Sequence, residues 1–105
     1  MSAEIKTVSD INEGLKICRA TEGAILVDVR REDEYTEGHI PGSRNIPLQI
    51  MPTVEGILTD KNAPVFLYCL SGGRSNRAAA FMTKVGYTNV TNLGGIKDYT
   101  GEKEV

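Results

Sequence analysis

At 105 residues, with 40% hydrophobic and 25% charged side chains, the chain has the makeup of one globular domain spanning 1–105, not of a disordered, fibrous or multidomain protein. Its formal net charge of -2, from 12 basic and 14 acidic residues, gives no bulk attraction to nucleic acid or anionic lipid, so any anion site must be local. Two cysteines and one histidine are too few for a disulfide framework or a zinc site, and no apolar run has the length of a signal peptide or membrane span. The expectation is a cytoplasmic protein with reduced cysteines, no bound metal and neither a membrane nor a nucleic-acid partner.

Glu4 to Val8 suits a short edge strand, and Ser9 is an N-cap candidate for a helix that presents Ile11, Leu15 and Cys18 on one face. Glu22-Gly23 ends that helix. The run Ala24-Ile25-Leu26-Val27-Asp28-Val29 reads as a strand buried on both faces, as in a parallel sheet. Arg30 to Glu37 fits a short surface helix, Gly38 to Ser43 a turn-rich connection, and Asn45-Ile46 a brief strand before Pro47 opens a helix through about Leu58. Val65 to Tyr68 is a second central strand. A glycine-containing loop follows it, then a helix from Ser75 to about Val85 with Ala78, Ala79, Phe81, Met82 and Val85 as its apolar side and Gly86 as its C-cap. Thr88 to Leu93 has strand character, Gly94-Gly95 is expected to turn into a helical segment from Ile96 to Tyr99, and the polar tail from Thr100 to Val105 is expected to fray. Strands and helices alternate, which predicts an α/β domain whose central, mostly parallel sheet has helices on both faces.

The stretch YCLSGGRSNRAAA, Tyr68 to Ala80, concentrates the chemistry. In open α/β sheets ligands bind beyond the carboxyl ends of the strands, and Cys69 follows the second central strand directly. Gly72 and Gly73 permit positive φ and close backbone approach, so successive N–H groups can turn inward as an anion-binding nest. The helix behind adds its unpaired amides and positive dipole end, which together can lower a thiol pKa from about 8.5 to roughly 3.5–7.5. Arg74 at that helix start opposes the dipole unless an anion lies between them, so a bound oxyanion is expected there. Arg77, one turn on, reads as a solvated surface charge or as a rim residue of the site, and Cys18 as a core residue.

The loop Cys69-Leu70-Ser71-Gly72-Gly73-Arg74-Ser75 resembles the active-site loop of rhodanese-like sulfurtransferases. The segment LVDVRREDEYTEGHIPGSRNIP, Leu26 to Pro47, is similar to that family's N-terminal signature at Asp28, Arg30, Glu34, Tyr35, Gly38, His39, Ile40, Gly42 and Ile46, and Leu93-Gly94-Gly95-Ile96 resembles its C-terminal glycine pair. The resemblance implies a rhodanese-like domain in which the Cys69 thiolate takes the sulfane sulfur of a donor such as thiosulfate, polysulfide or a persulfide, and passes it from a cysteine persulfide to a thiol or cyanide acceptor, including a protein thiol. Leu70, Ser71, Gly72, Gly73, Arg74 and Ser75 would cradle the transferred sulfur and the departing oxyanion, with Asp28 and Arg30 buttressing the loop and His39 holding a turn. No cofactor is implied. Glu34 stands where some tandem-domain members carry a cation, which leaves Arg74 as the loop's only charge and the physiological donor open. Tyr99, where many members have tryptophan, is expected to alter packing more than chemistry.

Two other readings remain at this stage. A cysteine-dependent phosphatase or arsenate reductase would also use a thiolate in an anion nest, but four residues separate Cys69 from Arg74, one fewer than in phosphatases of the related cell-cycle type, and no aspartate stands out as a general acid. A persulfide carrier or sensor with little turnover would have the same loop.

Overall fold

In the computed structural model, which describes residues 4–105, five strands form a sheet in the order β1-β5-β4-β2-β3, with every neighbouring pair parallel. The strands are β1 (Ile5–Thr7), β2 (Ile25–Asp28), β3 (Arg44–Asn45), β4 (Val65–Cys69) and β5 (Val90–Gly95). The helices are α1 (Ile11–Ala20), α2 (Glu32–Glu37), α3 (Val54–Ile57) and α4 (Gly73–Lys84), and among the described residues none is long and apolar enough to cross a membrane.

Alternation along β2 and β4 divides the core in two. Val27, Val65, Leu67 and Cys69 pack with Met51, Val54, Ala78, Ala79 and Met82 on the α3–α4 side. Leu26, Phe66 and Tyr68 pack with Ile11, Leu15, Cys18 and Ile40 on the α1 side. Each apolar run therefore has a buried partner on both faces, which is why the central strands read as continuous hydrophobic stretches.

Several boundaries differ from expectation for physical reasons. Asp10, not Ser9, caps α1, its carboxylate accepting from the Asn12 N–H at 2.9 Å. The segment after Pro47 is a 3-10 turn over Leu48–Thr53, containing Pro52, before the short α3, because Pro52 has no N–H for an α-helical bond. Helix α4 begins two residues early, at Gly73, behind a left-handed Gly72 (φ 104°). The glycine pair Gly94-Gly95 belongs to β5 and does not form a turn. The tail is pinned where fraying was expected: Glu104 and His39 exchange two backbone hydrogen bonds of 2.8 Å, and the Tyr99 hydroxyl donates to the Glu102 carbonyl at 2.7 Å.

Between Leu67 and Tyr68 the β4–β5 register shifts by one residue, so that Leu67 faces Asn92 but Tyr68 faces Gly94 and Cys69 faces Gly95. Such a bulge re-aims the chain at a strand end. Here it lets the loop after Cys69 cross directly over β5: a Cβ on Gly95 would stand 2.6 Å from the Ser71 Cα, and the Leu70 carbonyl accepts from the Lys97 N–H at 3.1 Å.

Candidate active site

Cys69 ends the central strand β4, which has β5 on one side and β2 on the other, at the carboxyl edge where crossovers leave in both directions. Its side chain is almost wholly buried, 1% exposed, under the loop that follows. The Gly72 N–H donates to Sγ at 3.0 Å, and the Ser75 Oγ lies 3.5 Å away. Burial raises the thiol pKa, but the Ser75 hydroxyl and the Ser75, Gly72 and Ser71 amides outweigh it, and the net shift is downward.

The hydroxyl's share in that shift is restricted by Asn92, which sequence reasoning missed. The Asn92 Oδ1 accepts from the Gly94 N–H at 3.0 Å while its amide nitrogen donates to the Gly72 carbonyl at 3.3 Å, and this pair fixes the amide's orientation. Ser75 Oγ, 2.7 Å from Oδ1, must therefore donate there. Asn92 is buried and ties β5, the loop and α4 together. A lone asparagine among β-branched residues carries no local signal of this. Only the pairing of β5 with β4 brings it under the loop.

Leu70, Ser71 and Gly73 are exposed, Gly72 is half-buried and Ser75 is buried, so the loop lies between the thiol and the outside. Arg74 departs from expectation. Its guanidinium makes a two-pronged pair with Glu34 of α2, with bonds of 2.6 and 3.0 Å, so the anion that offsets the helix dipole in this structure is a carboxylate of the chain itself. That pair, first, and the Arg31 N–H bonded to Glu34 at 3.1 Å hold the Glu34 carboxyl at about 2. Arg77 is exposed.

At the end of β2, the buried Asp28 and Arg30 side chains form a second pair with a shortest bond of 2.7 Å, and Arg30 also donates to the Gly38 carbonyl at 2.7 Å. Asn45 donates to the carbonyls of both Asp28 and Arg30, at 3.0 and 2.9 Å. The Tyr68 hydroxyl receives the Ile40 N–H at 3.1 Å and lies 3.0 Å from Ser43 Oγ, which anchors the 38–43 turn to β4. His39 stacks on Tyr35 with ring centroids 3.8 Å apart, and its Nδ1 lies 2.9 Å from the Tyr35 carbonyl, away from Cys69. Cys18 is buried against α1's partners on the opposite face of the sheet, where burial raises its pKa. A cleft of about 330 Å³, lined by Arg30, Glu34, Glu37, Gly38, Leu70 and Lys103, opens beside the loop. It meets the loop at Leu70, and Cys69 itself does not line it.

The Rhodanese-like domain family matches residues 9–102. YqhL, an uncharacterized protein of Bacillus subtilis (strain 168), is 48% identical over 81 residues, covering 75% of this chain and 63% of YqhL, so the match spans less than two thirds of that relative. Thiosulfate sulfurtransferase PspE of Escherichia coli (strain K12) is 38% identical over 73 residues, covering 69% of this chain and 70% of PspE. A solved structure described as a rhodanese with anions from E. coli superposes with a TM-score of 0.70 at 35% identity, over 77% of this chain and 96% of that one.

Proposed function

The chain belongs to the rhodanese-like domain family, and from that premise we propose that it is a sulfurtransferase working through a Cys69 persulfide in a reducing, cytoplasmic setting. The observation that carries this reading is the Gly72 N–H directed at Cys69 Sγ from 3.0 Å at the end of the central strand, in a chain whose two cysteines are both free. The thiolate attacks the outer sulfur of thiosulfate. A Sγ–S bond forms, the S–S bond of the donor breaks with its electron pair leaving on sulfite, and Cys69 carries a persulfide anion. An acceptor thiolate or cyanide then attacks the outer sulfur, forms a persulfide or thiocyanate, and returns the Cys69 thiolate. Polysulfide and thiol persulfides enter by the same exchange.

In this reading the amides from Leu70 to Ser75 receive charge on the terminal sulfur and the leaving group, while Arg74 adds its remaining N–H donors at the rim. The Asp28–Arg30 pair keeps the neighbouring strand end rigid. A phosphatase of the related cell-cycle type would have one more residue between the cysteine and the arginine, a wider cradle than the four residues between Cys69 and Arg74 provide.

The test is to incubate the reduced protein with thiosulfate, polysulfide or a phosphate ester and follow intact mass. Thiosulfate or polysulfide should add one sulfur atom to Cys69, cyanide should remove it as thiocyanate, and Cys69→Ser should gain none. No sulfur adduct, or an adduct on Cys18, would overturn the assignment.

A further inference from the structure

Resting on the sulfurtransferase reading, we infer that Glu34 sets the charge of donor this site accepts, by tying up Arg74 so that the loop favours persulfides of low charge over dianionic thiosulfate. The cations nearest the thiol are already matched, while Arg77, one turn further along α4, is exposed. Arg74 meets both Glu34 oxygens, Arg30 is held by Asp28 at 2.7 Å, and Arg31 pairs with Asp33 at 3.0 Å. Lys103 is the remaining cation lining the cleft, and Glu37 lines it too. Against a thiolate, such a mouth carries no surplus positive charge with which to draw in a dianion, while exposed Leu70 offers an apolar edge to an organic thiol.

Glu34→Gln separates charge from shape. Glutamine retains an oxygen that can accept the Arg31 N–H and one Arg74 N–H, so the frame of α2 and α4 persists while the guanidinium loses its counterion. The Glu34 side chain is 18% exposed and lies at a surface pair, which makes the exchange compatible with folding. The freed cation should act at long range through a partly aqueous medium. It should raise kcat/KM for thiosulfate roughly tenfold, chiefly through KM, and the gain should fade as salt is added.

The experiment compares wild type, Glu34→Gln and the double variant Glu34→Gln/Arg74→Gln with two donors, thiosulfate and the persulfide of N-acetylcysteine methyl ester, at low and high ionic strength. Expected is a salt-sensitive thiosulfate gain in the single variant, a persulfide rate within about twofold of wild type, and loss of the gain in the double variant. Equal changes with both donors, no change, or a thiosulfate gain that survives removal of Arg74 would overturn the inference and leave sulfur transfer standing. Failure of the wild type to form a persulfide with either donor would overturn the proposed function and this inference with it.

Discussion

At Cys69, burial and hydrogen bonding act on one thiol in opposite directions. The residue is 1% exposed, a setting that disfavours the thiolate, yet the Ser75 hydroxyl and amides of the following loop lie against Sγ and the balance is downward. Cys18 is as well buried but has no such donors, and its shift is upward despite the neighbouring Arg19 charge. The two thiols should therefore separate in a titration followed by thiolate ultraviolet absorbance. In Cys18→Ala the remaining inflection should fall below the ordinary thiol value of about 8.5, and in Cys69→Ser above it. The reverse order would remove the physical basis for choosing the nucleophile. The choice of Cys69 needed only its place between an apolar run and two glycines. The restraint on Ser75 was not legible, because Asn92 is 17 residues away and reaches it through strand pairing alone.

At the scale of elements, the bulge in β5 governs the loop. Gly95 has ordinary extended dihedrals (φ -122°, ψ 137°), so any residue could adopt its backbone, and what demands glycine is the chain passing over it. Gly95→Ala would put a methyl carbon 2.6 Å from the Ser71 Cα, a backbone contact that no rotamer relieves. The loop must lift, costing about 1–3 kcal/mol as overpacking does. Because the Gly72 N–H moves with it, persulfide formation should drop by at least about tenfold, as loss of one oriented donor commonly does. Denaturation and single-turnover mass measurements would check both, and an undiminished rate would show that the loop does not depend on its seat over β5. The sequence made β2, β4 and α4 legible because their apolar periods answer to burial on the spot. It misled at Gly94-Gly95, since a glycine pair has turn chemistry locally and becomes strand only by pairing with Tyr68 and Cys69. The stretch Pro47 to Leu58 failed for a related reason: its apolar spacing suits a helix, while Pro52 divides it.

Across the whole molecule, the Glu34–Arg74 pair joins two strand–helix units over 40 residues of sequence. From the sequence, Arg74 at a helix start signalled a missing anion, and only the fold could supply its identity, because α2 and α4 meet through the sheet order. The pair also gives stability a pH dependence with a definite sign. The Glu34 carboxyl, held at about 2 when folded, first by the Arg74 hydrogen bonds, binds protons more weakly in the native chain than in the unfolded one, where a glutamate titrates near 4.3. Its contribution is therefore complete above about pH 4.3 and is lost as pH falls through about 2. Coulomb attraction here is partly screened, since the Arg74 and Glu34 side chains are 30% and 18% exposed, so about 1 kcal/mol is the expected size. Glu34→Gln should accordingly unfold in urea about 1 kcal/mol more easily than wild type at pH 6. As the pH is lowered, that difference should shrink and approach zero near pH 2, because protonated glutamate and glutamine are then equally uncharged. Urea unfolding of both proteins across this range provides the measurement. A gap that stays constant in acid would mean that shape, not charge, is what Glu34 contributes.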